Sequence, residues 1–171
     1  MYELDRPQAC SIARAMEVLG ERWTFLILRE CFYGVRRFSD MQRNLGIARN
    51  ILSARLQTLV RAGILERRRY QERPERFEYV ITDKGRGLAP ALMMLLKWGD
   101  EHYAPDGPPV LTLHEGCGGK VDRRLRCRRC RERVDFDEVE LAVGPALKAA
   151  GVDPFPGASA SVKPRGRVGV V

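Results

Sequence analysis

Apolar positions recur at helical spacing from early in the chain. In SIARAMEVLG, Ile12, Ala15, Met16 and Leu19 form one stripe and Gly20 follows, which predicts an amphipathic helix stopped at the residue best suited to a C-terminal cap. ERWTFLILRECFYG predicts a second, largely buried helix through Trp23, Leu26, Ile27, Glu30 and Cys31, closed by Gly34. In FSDMQRNLG, Ser39 and Gln42 have capping-box spacing, so a short helix is expected to begin at Asp40 and end at Gly46. After three connecting residues, RNILSARLQTLVRAG puts Leu52, Leu56 and Leu59 on one face and Arg49, Asn50, Ser53, Ala54 and Gln57 largely on the other. A short support, a tight turn and a longer helix with a polar opening turn make a helix-turn-helix.

The period then changes. Ile64 to Tyr70 reads as extended, Gln71 to Glu75 as a polar bend around Pro74, and Phe77, Tyr79 and Ile81 alternate with Glu78, Val80 and Thr82, the pattern of a β-hairpin. Helix resumes behind Thr82 as N-cap, carrying Leu88, Leu92, Leu95 and Leu96, with Pro90 in its early turns or at a bend. The break APDGPP marks a boundary, which divides the chain into residues 1–105, 106–150 and 151–171. Beyond it DEVELAVGPALKAAG is a helix candidate interrupted by Gly144 and Pro145, and the last stretch is a flexible tail with little to bury. The expected fold is mainly α with a β-hairpin wing, a winged helix-turn-helix, plus a small C-terminal module.

Charge sharpens this picture. The chain has 30 Lys and Arg against 22 Asp and Glu, and residues 36–76 alone hold 11 basic and 4 acidic groups. A polyanion would meet that segment first. A reading helix entering the major groove needs exposed groups that bond base edges and phosphates, which Arg49, Asn50, Ser53 and Gln57 supply; the competing reading is a solvated face. The wing would grip backbone or minor groove through Arg73 and Arg76 at its tip, if those arginines do more than aid solubility. Arg67, Arg68 and Arg69 cannot all face one way on a strand, so one or two of them, with Arg67 and Arg69 as candidates, would touch DNA. Arg36 and Arg37 are either backbone clamps or plain charged surface.

Residues 10 to about 103 resemble the HxlR-type winged helix transcriptional regulators, a branch near the MarR-like regulators. The resemblance rests on a Cys before the first helix, then GERWTFLILRE, RRFSDM, RNILSARLQTLVRAGILER and ERPERFEYVITDKG in order. It implies a homodimer, joined by the first helix and the long helix ending at Trp98, on a pseudo-palindromic double-stranded DNA operator. The stripe of Leu88, Leu92, Leu95 and Leu96 with Ile12, Met16 and Leu19 suits such a dimer and equally suits ordinary core. Some regulators of this type sense electrophiles or oxidants through a Cys at the position of Cys10, although a lone Cys also serves as a small apolar residue. Cys31, in an apolar helix, is expected in the core.

The cysteine pairs add a second chemistry. In HEGCGGKVDRRLRCRRC, His114 and Cys117 form one knuckle and Cys127 and Cys130 another, which is how a tetrahedral Zn²⁺ takes its ligands. A segment this small and this poor in large apolar residues needs metal to fold, so a structural zinc ribbon is expected; four unmetallated residues in a basic extension is the other reading. Four protein ligands leave no open position, and no catalytic set is recognisable, so the chain is not expected to be an enzyme. The basic residues around the knuckles either extend DNA contact or balance the acidic stretch after them.

Five cysteines, no apolar run near the about 18 residues of a membrane span and no signal-peptide pattern at the start predict a cytoplasmic chain that avoids membranes. The expected function is a dimeric sequence-specific DNA-binding transcriptional regulator, a repressor by the simplest action, open to a redox or small-molecule signal. The alternative is a zinc-ribbon RNA-binding or protein-docking module with the winged helix as an interaction platform.

Overall fold

The computed structural model describes residues 10–135 and 138–153. The tail expected over 151–171 lies, from residue 154 onward, outside the described residues. The order of elements is α1 (Ser11–Leu19), α2 (Arg22–Phe32), α3 (Phe38–Leu45), α4 (Arg49–Arg61), β1 (Leu65–Gln71), β2 (Arg76–Ile81), α5 (Asp83–Arg86), α6 (Ala89–Tyr103), β3 (Val110–His114), β4 (Val139–Val143) and α7 (Pro145–Ala150). Among the described residues no helix is long and apolar enough to cross a membrane.

The main core gathers around α4. Leu52, Leu56 and Leu59 are at most 1% exposed and pack with Ile27, Leu28, Val35, Met41 and Ile47. Burying each such side chain contributes about 1.5–3 kcal/mol, so this apolar seam sets how α4 sits. Between α3 and α4 the chain turns at Gly46, whose φ of 60° lies in the left-handed region that a Cβ disfavours. A polar tie joins α2 to α3: Glu30, 2% exposed, accepts from Arg29 Nη2 at 2.7 Å and from Asn44 Nδ2 at 2.8 Å.

The start of α3 differs from the capping-box expectation. The helix begins at Phe38, and the N–H of Met41 donates to Arg37 O at 3.0 Å, so Arg37 is the N-cap, has no side-chain cap bond, and leaves Ser39 inside the first turn. The cause is tertiary. Tyr79 N–H donates to Arg36 O at 2.8 Å and Arg37 pairs with Glu78 in an antiparallel bridge. Residues 36 and 37 thus form a third, short edge of the wing, and the chain turns into helix directly where that pairing ends.

β1 and β2 pair antiparallel, with Leu65 opposite Ile81 and Arg67 opposite Tyr79. The helix expected behind Thr82 is divided. Thr82 Oγ1 accepts from Gly85 N–H at 3.1 Å, as an N-cap should, but it caps the single-turn α5, and Pro90 sits in the opening turn of α6, where its missing N–H costs nothing.

In the C-terminal part, residues 139–143 were expected to be helical and are strand instead. Val110 pairs with Val143 and His114 with Val139. Val139 and Leu141 alternate with Glu140 toward a small core of Val121, Cys127, Val134 and Val139, so the open edge of β3 overrode a weak helical signal. Helix is confined to α7. The same small core includes Met93 of α6, 3% exposed, with Leu96 beside it, so the module is seated on α6.

The apolar stripe weighed as core or dimer face divides. Leu19 is buried, Leu88 and Leu92 pack on the main core, and Leu96 packs on the module. Ile12 (71% exposed), Met16, Leu95 and Trp98 (53% exposed) remain open. Leu56→Ala is expected to lower unfolding free energy by about 2–5 kcal/mol, measured by urea denaturation followed by helical circular dichroism.

Candidate nucleic-acid interface and metal centre

Burying the leucine face of α4 turns its polar face outward. Arg49, Asn50 and Gln57 are exposed and Ser53 is half-buried. The Arg49 guanidinium lies over the Phe38 ring, 5.4 Å from its centroid, and so projects from a fixed aromatic shelf. Arg37 is likewise held over Tyr70 at 5.0 Å and Arg67 over Phe77 at 3.5 Å. Phe38, Tyr70 and Phe77 were not among the expected site residues. Their signal was present as aromatic residues interleaved with the basic runs RRF, RRRY and RFEY.

The remaining basic candidates differ in their neighbours. Arg36, Arg73 and Arg76 are exposed, the last two at the hairpin tip. Arg69 lies 3.8 Å from Glu72 and 3.6 Å from Glu75, and Arg68 pairs with Glu66. Such exposed pairs are worth about 0–1 kcal/mol and yield readily to a phosphate. Strand register puts Arg67 and Arg69 opposite Tyr79 and Phe77, and Arg68 opposite Glu78, so the first two share a face.

The four expected metal-ligating residues come together. One ligand atom from each of His114, Cys117, Cys127 and Cys130 lies within 4.8 Å of the others. His114 Nδ1 is 3.5 Å from Cys117 Sγ and 3.3 Å from Cys130 Sγ, and Cys117 Sγ is 3.4 Å from Cys127 Sγ. Tetrahedral bonds of about 2.3 Å to sulfur and about 2.0 Å to nitrogen place ligand atoms about 3.5–3.8 Å apart, so these residues fit a metal ion with little movement. The backbone is shaped for it: Gly118 N–H donates to His114 O at 2.7 Å, Arg131 N–H to Cys127 O at 3.0 Å, and a Cβ at Gly119 would run into Cys127 Sγ.

Electrostatics inside the cluster are uneven. Burial raises the Cys127 thiol, but N–H groups of Cys130 and Arg129 and hydrogen bonding with Cys117 and Cys130 outweigh it and bring the pKa to about 6. At Cys130 the Glu132 N–H favours thiolate, yet desolvation and the neighbouring sulfurs push the thiol up to about 11. Sulfurs this close cannot all ionise without a cation among them.

The other two cysteines lie apart from the cluster. Cys10 is exposed at the N-cap position of α1. Cys31 is buried, and desolvation, aided by Glu30, pushes its thiol up to about 12, the behaviour of an inert core residue.

Comparison with known proteins agrees with this geometry. The HxlR-like helix-turn-helix family model matches residues 18–106. An HTH-type transcriptional regulator of Mycobacterium tuberculosis is 49% identical over 140 residues, 81% of this chain and 89% of the relative. That match is longer than the whole chain up to residue 106, so it extends into the module. The crystal structure of PA1607, described as a candidate transcription factor, has a TM-score of 0.63 at 37% identity and covers 71% of this chain and 87% of its own. The oxidised form of the redox regulator HypR has a TM-score of 0.52 at 28% identity, covering 54% of this chain and 96% of its own. Cys127→Ser should abolish stoichiometric metal binding and disorder the module while leaving the main-core helices folded, as read by elemental mass spectrometry and amide exchange.

Proposed function

The chain belongs to the HxlR-like helix-turn-helix family and is a transcriptional regulator, and from that premise we propose that it is a homodimeric repressor reading a two-fold operator. One observation carries the reading: the leucine face of α4 is sealed in the core while Arg49, Asn50 and Gln57 stand outside it. Asn50 and Gln57 contact base edges, Arg49 a base or phosphate, and Ser53 the backbone. Arg36 and Arg37 clamp phosphates beside α3, and Arg67, Arg69, Arg73 and Arg76 hold the flanking duplex through the wing. Occupying a promoter in this way represses it by exclusion.

The exposed apolar groups of α1 and α6, Ile12, Met16, Leu95 and Trp98, support a dimer interface, since monomers seldom leave such a surface bare. Cys10, exposed beside it, is the candidate redox sensor, by likeness to a relative named as a redox regulator. The metal is zinc in a structural role, because three sulfurs and one imidazole nitrogen form a closed set of soft and borderline ligands. Residues 1–105 form the DNA-binding and dimerisation unit and 106–150 the ribbon, joined through Met93.

Operators selected from bound genomic fragments provide the test. Asn50→Ala should weaken operator binding about 5- to 150-fold with little change on unrelated duplex, and Arg73→Ala should reduce the salt slope by about one. Unchanged operator affinity in Asn50→Ala would remove α4 as the reading helix. A chain ending at residue 105 should still bind operator but melt at lower temperature, because Met93 and Leu96 lose their cover.

A further inference from the structure

The C-terminal half of α6 and the ribbon line an open cleft of about 590 Å³ on which cations converge, Lys97 from the helix and the exposed Lys120, Arg123, Arg124 and Arg128 from the ribbon. Asp100, Glu101 and Asp122 share it, which leaves an excess of two positive charges. The carboxylates are already engaged. Asp100 lies 3.6 Å from Lys97 and Glu101 lies 3.8 Å from Arg123. Asp122 Oδ1 accepts the backbone N–H groups of Arg124 at 2.8 Å and Arg126 at 3.0 Å, so it closes the ribbon turn. Lys120, Arg124 and Arg128 are left without a carboxylate partner among the described residues.

Lys97 registers this imbalance. Its side chain is 20% exposed. Burial pushes its ammonium pKa down, Asp100 opposes the change, and Arg128 and Lys120 add to it. Exposed Lys120, Arg124 and Arg128 thus gather around half-buried Lys97, and Asp100 offsets only part of their charge.

We propose that this cleft is a binding site for a small phosphomonoester, held by Lys97, Lys120, Arg124 and Arg128. A phosphomonoester carries nearly two negative charges around neutral pH, which matches the local excess. Guanidinium forks bond phosphate oxygens in pairs and ammonium groups add point charge. The volume suits a small molecule. Such a ligand joins α6 to the ribbon, and α6 carries exposed Leu95 and Trp98; on the dimer reading proposed above, occupancy would act on the interface helix. The site itself does not rest on that reading.

The test uses the full-length, zinc-loaded protein without DNA, titrated with glucose 6-phosphate by calorimetry at constant ionic strength set with chloride, and with succinate in a second arm. Saturable binding of the phosphomonoester is expected. It should weaken at least about tenfold in Lys120→Gln/Arg124→Gln, which spares the metal ligands, and in Lys97→Gln. If Lys97→Gln does not fold, the surface pair decides alone. Arg73→Gln/Arg76→Gln at the wing tip should bind the phosphomonoester normally while losing DNA affinity, which separates this site from the DNA reading. Absence of saturable binding, an equal loss in the wing variant, or succinate binding as tightly as the phosphomonoester would each overturn the proposal.

Discussion

The seating of α4 on the core is the interaction on which the rest depends. Three leucines one helical turn apart are almost wholly removed from water, and rotating the helix to expose them would forfeit about 1.5–3 kcal/mol for each side chain. That penalty holds the opposite face outward. Arg49, Asn50 and Gln57 are presented because Leu52, Leu56 and Leu59 have nowhere else to go. The neighbouring elements lock to the same core: α3 through Met41 and the part-buried Glu30–Asn44 bond, and the wing through Ile64 and Leu65.

Arginine dominates the candidate interface, yet the arginines are not equivalent. Arg37, Arg49 and Arg67 lie over aromatic rings, which would limit the side-chain freedom lost on gripping a phosphate. Arg68 and Arg69 are shared with glutamates of the hairpin. Those exposed pairs cost little to break, so the wing has both pre-placed cations and a reserve held in weak ion pairs.

The ribbon obeys a different constraint. Its own apolar residues are few; the side chains of Met93 and Leu96 complete its small core, and its four clustered ligands could add the stability of a bound metal. As a result α6 has three surfaces: one on the main core, one under the ribbon, and one exposed at Met94, Leu95 and Trp98. A single helix thereby connects the DNA-binding unit, the metal module and the open apolar face.

Much of this was written locally in the chain. The leucine spacing in α4, the stop at Gly46, the alternation around Phe77 to Ile81 and the two knuckles each depend on residues close in sequence, so periodicity and ligand spacing determined the helix-turn-helix, the wing and the metal cluster. Where the outcome rested on distant partners, local signals failed. The start of α3 was set by pairing of residues 36 and 37 with β2, and residues 139–143 became strand because β3, some thirty residues earlier, offered an open edge. The aromatic shelves beneath the arginines, and the division of one leucine stripe among core, ribbon and open face, were likewise decided only by tertiary structure. Burial and pairing across long chain separations choose among states that short-range propensities leave nearly equal in free energy.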